Sequence, residues 1–187
     1  MKNSKLIPLA IAFLISACTN KPTQIIVAPE PYVSSKAAFL GLNARLNVTD
    51  MRSGSHILQI MRADKAAELF SAQSDLSTII HQGLESELKK QGLNLSGQTN
   101  NQIEVFVDNA IISVQQELVK YQANNHITMR VQVTSNEQTL TRTFNSKGSS
   151  NGPLQADIAV LERDFNQQLA NLLSQIITDK EIQQFIK

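Results

Sequence analysis

Apolar and polar residues alternate with period two in several stretches of the chain, and elsewhere apolar residues recur at helical spacing. Leu40, Leu42, Ala44, Leu46 and Val48 alternate with Gly41, Asn43, Arg45, Asn47 and Thr49, which predicts a strand with one polar face. Ile57–Met61 and Ala66–Ser71 flank the polar stretch Arg62-Ala63-Asp64-Lys65; this pair reads either as a short hairpin or as a helix, and the hairpin is preferred. Leu76, Ile79, Ile80, Leu84 and Leu88 then share one helical face, with Ser74 or Asp75 available as the cap and Gly92 placed to end the helix. On its exposed side Glu85 precedes Lys89 by one turn, a weakly stabilising pair.

The middle of the chain returns to period two. Ile103, Val105 and Val107 alternate with Glu104, Phe106 and Asp108, and the phase shifts around Ala110 and Ile111, as a β-bulge would produce. Ile127, Met129, Val131 and Val133 alternate with Thr128, Arg130, Gln132 and Thr134, and after Ser135-Asn136-Glu137-Gln138 the run 139–146 can return as a third strand. Gly148–Pro153 is expected to break the pattern. A second helix follows, with Ile158, Leu161, Phe165, Leu169, Leu172, Leu173, Ile176 and Ile177 as a broad apolar stripe, and Asp179 restarts a short tail that docks through Ile182, Phe185 and Ile186. The predicted class is α+β: a mixed, largely antiparallel sheet with two amphipathic helices packed on one face.

The first residues belong to a different pattern. Lys2 and Lys5 precede the apolar run 6–15, and Ile15-Ser16-Ala17-Cys18 closes it with small residues. That order is the order of a secretory signal, and about ten apolar residues are too few for the roughly 20 that a spanning helix needs. Residues 1–17 are therefore expected to be removed, and the ending resembles the lipobox of bacterial lipoproteins, in which the cysteine receives lipid. Cys18 is the only cysteine, so no intramolecular disulfide can form and a free thiol in an exported chain would otherwise invite intermolecular pairing. Two or more acyl chains anchor stably where one is marginal. Thr19 follows the cysteine, and its resemblance to the enterobacterial sorting pattern implies the periplasmic side of the outer membrane. Residues 18–36 contain Pro22, Pro29 and Pro31 and read as an extended tether, within which Gln24-Ile25-Ile26-Val27 can add an edge strand. Residues 37–187 are predicted to form one globular domain.

The lipobox, the strand ending in Asp50-Met51-Arg52, the helix beginning Ser74-Asp75-Leu76, the long meander and the ending Ile182-Gln183-Gln184-Phe185-Ile186-Lys187 together resemble the YajG family of Gram-negative lipoproteins. The resemblance covers nearly the whole chain. It implies an envelope location and supplies no catalytic residues.

Composition narrows the chemistry. Losing Lys2 and Lys5 takes the formal charge from +1 to −1 with the charges scattered, which argues against nucleic acid as a partner. His56, His81 and His126 stand apart without metal-ligand spacing, and Gly148-Ser149-Ser150-Asn151-Gly152 lacks the lysine of a phosphate loop, so no metal or cofactor is expected. Ser53, Ser55 and His56 beside Asp50 are the residue types of a hydrolytic triad, but clustering in a polar loop is not the geometry a triad requires. The chain is read as a non-enzyme. Asp50 and Arg52, which can pair with each other or satisfy turn amides, and Tyr121, expected as an exposed aromatic between the two long strands, are the candidate contacts for a ligand or partner. The partners expected are the membrane, through lipid on Cys18, and an envelope protein, with peptidoglycan fragments as the alternative.

Overall fold

A computed structural model describes residues 24–34, 37–97 and 99–187. The expected signal and the lipobox cysteine lie outside the described residues. The elements in chain order are β1 (Gln24–Ile25), β2 (Asn43–Asp50), β3 (His56–Arg62), β4 (Glu68–Ala72), α1 (Leu76–Lys90), β5 (Asn94–Leu95), β6 (Gln102–Gln116), β7 (Lys120–Ser135), β8 (Gln138–Pro153), α2 (Ile158–Thr178) and α3 (Lys180–Phe185). The class is α+β: a mixed sheet curled into a half-barrel with two long helices, α1 and α2, and the short α3.

The long strand β6 organises the sheet. Along one edge it pairs antiparallel with β7, which pairs antiparallel with β8, giving the expected meander. Along its other edge β2 and β3 lie end to end, both parallel to it: Arg45–Asp50 beside Gln102–Val107, then Leu58–Arg62 beside Ile112–Gln116. The hairpin of β3 and β4 is formed, and β1 joins β4 as a parallel edge strand. A bulge at Asp108, between the paired residues Val107 and Asn109, accounts for the phase shift in the sequence.

Alternation sets which side chains meet the core. Ile103, Val105, Val107, Ala110, Ile112 and Val114 of β6 and Ala123, Ile127, Met129, Val131 and Val133 of β7 are buried on the inner face. They share one cluster with Ile80, Leu84 and Leu88 of α1 and Leu161, Phe165, Leu169 and Leu173 of α2. Asp157 caps α2 by accepting the Ala159 N–H at 2.9 Å. Asp75 stands at the N-cap of α1 without a side-chain cap bond, so the expected capping is positional only. At the other end of α1 the N–H groups of Gly92 and Leu93 donate to Lys89 and Leu88 carbonyls, the two bonds of a Schellman motif. Gly92 has φ +89, and a Cβ there would press on the Leu40 backbone, so two independent constraints select glycine.

Some expectations are corrected. Leu40 is not in the first strand: it sits in a turn, 74% exposed, while Phe39 takes the core position and β2 starts at Asn43. Gly148–Pro153 does not break the third strand, for β8 runs through it to Pro153. Its inner face changes from Leu140, Arg142 and Phe144 to Ser146, Gly148, Ser150 and Gly152, where neighbours come close: Gln168 of α2 covers Gly148 and the Tyr121 ring covers Gly152. The run has loop composition because the covering groups belong to other elements. Finally, the expected tether is docked over part of its length, since Ile25, Val27 and Val33 are buried. Ile26 bonds to Glu162, Ala28 to Asn166 and Tyr32 to Ser174, all along α2.

Tyr121, expected as an exposed aromatic, is instead half-buried, packed against the core and lying over Gly152 directly across the β7–β8 ladder. Such an aromatic shields a strand glycine from water. Tyr121→Ala is expected to cost about 1 kcal/mol, a fall in melting temperature of about 2–4 °C for a chain of this size. An unchanged melting curve would show that the ring contributes nothing there.

Candidate functional site

Because β2 ends at Asp50 and β3 begins at His56, a short stretch of the β6 edge has no strand beside it. Unpaired backbone groups there need partners. Arg52 provides one for the Ala110 carbonyl. Its Nη1 donates to the carbonyls of His56 and Ala110, both at 3.1 Å, thereby joining the start of β3 to the middle of β6. Its Nε and Nη2 grip the Asp50 carboxylate at 2.9 and 2.7 Å, and Asp50 also accepts the Arg52 N–H at 3.1 Å. The Arg52 side chain is 8% exposed and that of Asp50 27%. Burial alone would raise the Asp50 carboxyl, but the hydrogen bonds and positive charge of Arg52 outweigh it and hold the group below the ordinary carboxylate value.

On the outer face this junction opens into a cleft of about 290 Å³, lined by Arg52, Ser53, His56, Gln59, Asp108 and Asn109 among others. The bulge places consecutive residues on its rim. Asp108 accepts from Arg130 of β7 at 2.9 and 3.3 Å, and the Arg130 guanidinium lies 4.8 Å from the centre of the Phe106 ring directly opposite it. The Asn109 amide is 3.4 Å from His126 Nδ1, and Gln59 donates to Ser113 at 2.8 Å. The outer face therefore carries a preorganised arginine on an aromatic ring beside a small polar recess.

Of the residues singled out in the sequence, Asp50 and Arg52 meet as an ion pair. Tyr121 lies apart from them, opposite Gln116, about 20 Å along β6 from the Arg52 contact at Ala110. Ser53 and His56 line the cleft, yet the Asp50 carboxylate faces Arg52 rather than the imidazole, so a serine–histidine–aspartate relay is not assembled. His81 stands on α1, its Nδ1 3.6 Å from Glu85. No group of three His, Cys, Asp or Glu suited to a metal ion occurs among the described residues. Phe106, Asp108, Asn109 and Arg130 escaped sequence reasoning. Their signal was an aromatic and an arginine in the polar phase of two alternating strands, beside the break in phase.

Residues 31–187 match the model of a family described as an uncharacterised lipoprotein, the YajG family. The chain belongs to this family. A comparison with curated proteins gives no match. Solved structures similar to this YajG-family chain include a Xanthomonas campestris protein of the DUF330 family, 12% identical, with a TM-score of 0.57 over 85% of this chain and 96% of that one. A haemagglutinin homologue of Helicobacter pylori is 9% identical, with a TM-score of 0.45 over 83% of this chain and 95% of that one. The first likeness extends to the fold alone. Membership of a lipoprotein family agrees with membrane anchoring, and no helix among the described residues is long and apolar enough to cross a membrane.

Proposed function

We propose that this chain is a non-catalytic interaction module, held by lipid on Cys18 at the periplasmic side of the outer membrane, whose outer sheet face binds an envelope protein. The observation that carries this reading is Arg130, stacked on Phe106 and gripped by Asp108 on a strand face beside an open recess. Arginine and aromatic residues dominate binding hot spots, and an arginine already held in place loses little further freedom on binding. In this reading the apolar stripes of α1 and α2 close the inner face of the sheet and leave the outer one for the partner. The anchor rests on the small-residue ending before the sole cysteine and on family membership.

A photo-crosslinking residue at Gln132, beside Arg130 on the outer face, should yield a discrete protein adduct in intact cells. Arg130→Ala should abolish that adduct without loss of folding. The alternative, a small polar ligand such as a cell-wall fragment, draws on the cleft beside Arg52. Such a recess is small and polar against the larger, mainly apolar pockets that hold most small ligands. Retention on purified peptidoglycan, with no protein adduct from residue 132, would favour that alternative. For the anchor, Cys18→Ser should leave the folded chain in the soluble fraction or with an uncut signal. Processed protein still sedimenting with outer membranes would show that the anchor lies elsewhere.

A further inference from the structure

The turn joining β6 to β7 is built against the usual chemistry of turns. The Glu117 N–H donates to the Lys120 carbonyl at 2.9 Å, which leaves Leu118 and Val119 at the corner, 98% and 70% exposed. Tight hairpin corners ordinarily carry glycine, asparagine or aspartate. Beside them stands Leu154, 68% exposed and with φ 62, a left-handed conformation that leucine rarely adopts. Its N–H donates to the Val119 carbonyl at 2.8 Å. Beneath all three the buried Gln116 amide donates to the carbonyls of Glu117, Lys120 and Leu154, while its oxygen accepts the Ala156 N–H. Three apolar side chains are thus presented to solvent by backbone that is hydrogen-bonded on several sides.

Strand direction shows what lies near this knuckle. β1 runs parallel to β4 with Gln24 beside Ser71, and Ser71 pairs with His56, where β3 begins. β3 ends at Arg62 beside Gln116, at the knuckle. Since β1 is antiparallel to β3, its N-terminal end points toward the Arg62 end. The docked segment agrees: Ile26, Ala28 and Tyr32 meet Glu162, Asn166 and Ser174 in turn, so its first described residues lie nearest the start of α2, just after Leu154. From His56 to Arg62 is about 20 Å of strand. The residues from Cys18 to Gln24 can reach at most about 20 Å when fully extended. The anchor can therefore sit level with the knuckle.

We infer that Leu118, Val119 and Leu154 form a second membrane contact, entering the headgroup boundary of the same bilayer that holds the lipid on Cys18. This rests on the anchor reading above. A second contact fixes which face looks away from the bilayer. Glu117 and Lys120 pair with each other at 3.4 Å, so the knuckle offers apolar surface and no net charge, and its insertion should not depend on anionic lipid or salt.

The chain has no tryptophan, so one introduced indole reports alone. The full-length lipidated Leu118→Trp variant, reconstituted in phosphatidylethanolamine–phosphatidylglycerol vesicles, should float with them. Its emission should shift to shorter wavelength and be quenched by lipids brominated near the headgroup, equally at low and high salt. Val119→Trp should behave alike, guarding against a local fault at one position. Tyr32→Trp, near Ser174 and about 24 Å along α2 from its start, should float without either change. Floated Leu118→Trp and Val119→Trp proteins with unshifted, unquenched emission would overturn the inference while leaving the anchor standing. A chain that fails to float would overturn the anchor reading and this inference with it.

Discussion

Arg52→Ala is expected to lower the unfolding free energy by about 2–4 kcal/mol at pH 7, read as a lower urea midpoint with an unchanged slope. The guanidinium joins three pieces of chain, and alanine would leave the Asp50 carboxylate only the backbone N–H of residue 52 and remove the guanidinium from the His56 and Ala110 carbonyls. Arg52→Lys keeps the charge but not the planar fork, so it should recover only part of the loss. The pair also fixes a pH dependence. Asp50 is held below its ordinary value of 3.8 in the folded state. Its contribution is therefore complete above that value and is lost as pH falls through the lower folded value. Wild type and Asp50→Asn should differ most at neutral pH and converge as pH falls through the lowered folded value of Asp50. An Arg52→Ala protein as stable as wild type would mean that water replaces the guanidinium at the β2–β3 junction without loss.

What could be read in the sequence was what local periodicity encodes. The alternation of Ile127 to Val133, the apolar stripe from Ile158 to Ile177 and the phase shift of the bulge each appear where one strand or helix has a face of its own. The end of β8 was hidden because Ser146, Gly148 and Ser150 make room for α2, a requirement set far along the chain. The two parallel pairings of β6 were equally invisible, since alternation specifies a face and not a neighbour. The candidate site divides in the same way. Asp50 and Arg52 lie two apart on one strand end and could be suspected of pairing. That Arg52 also bonds Ala110, or that Arg130 lies over Phe106, follows only from the register of β6 against its neighbours.

Gln116→Leu is expected to cost about 2–4 kcal/mol, and the loss should begin at one end of the sheet. Gln116 is 6% exposed, and its amide satisfies three carbonyls and one N–H drawn from the β6–β7 turn and from the chain between β8 and α2. Leucine matches its bulk but removes the amide that the Glu117 and Leu154 carbonyls and the Ala156 N–H bond to, while the Lys120 carbonyl keeps the Glu117 N–H. Because the four partners belong to two connections rather than to the core, the damage separates into local and global parts. Hydrogen exchange should speed up most at Ala156 and Leu154, whose N–H groups lie at the junction. Met129, in the middle of β7, should accelerate only as far as global stability falls. Uniform acceleration would mark Gln116 as ordinary packing, and unchanged exchange at Ala156 would show that the amide does not hold the junction. A loosened junction would also present Leu118 and Leu154 in many orientations instead of one. If these leucines meet a bilayer, Gln116→Leu combined with Leu118→Trp should weaken lipid quenching while the protein still floats.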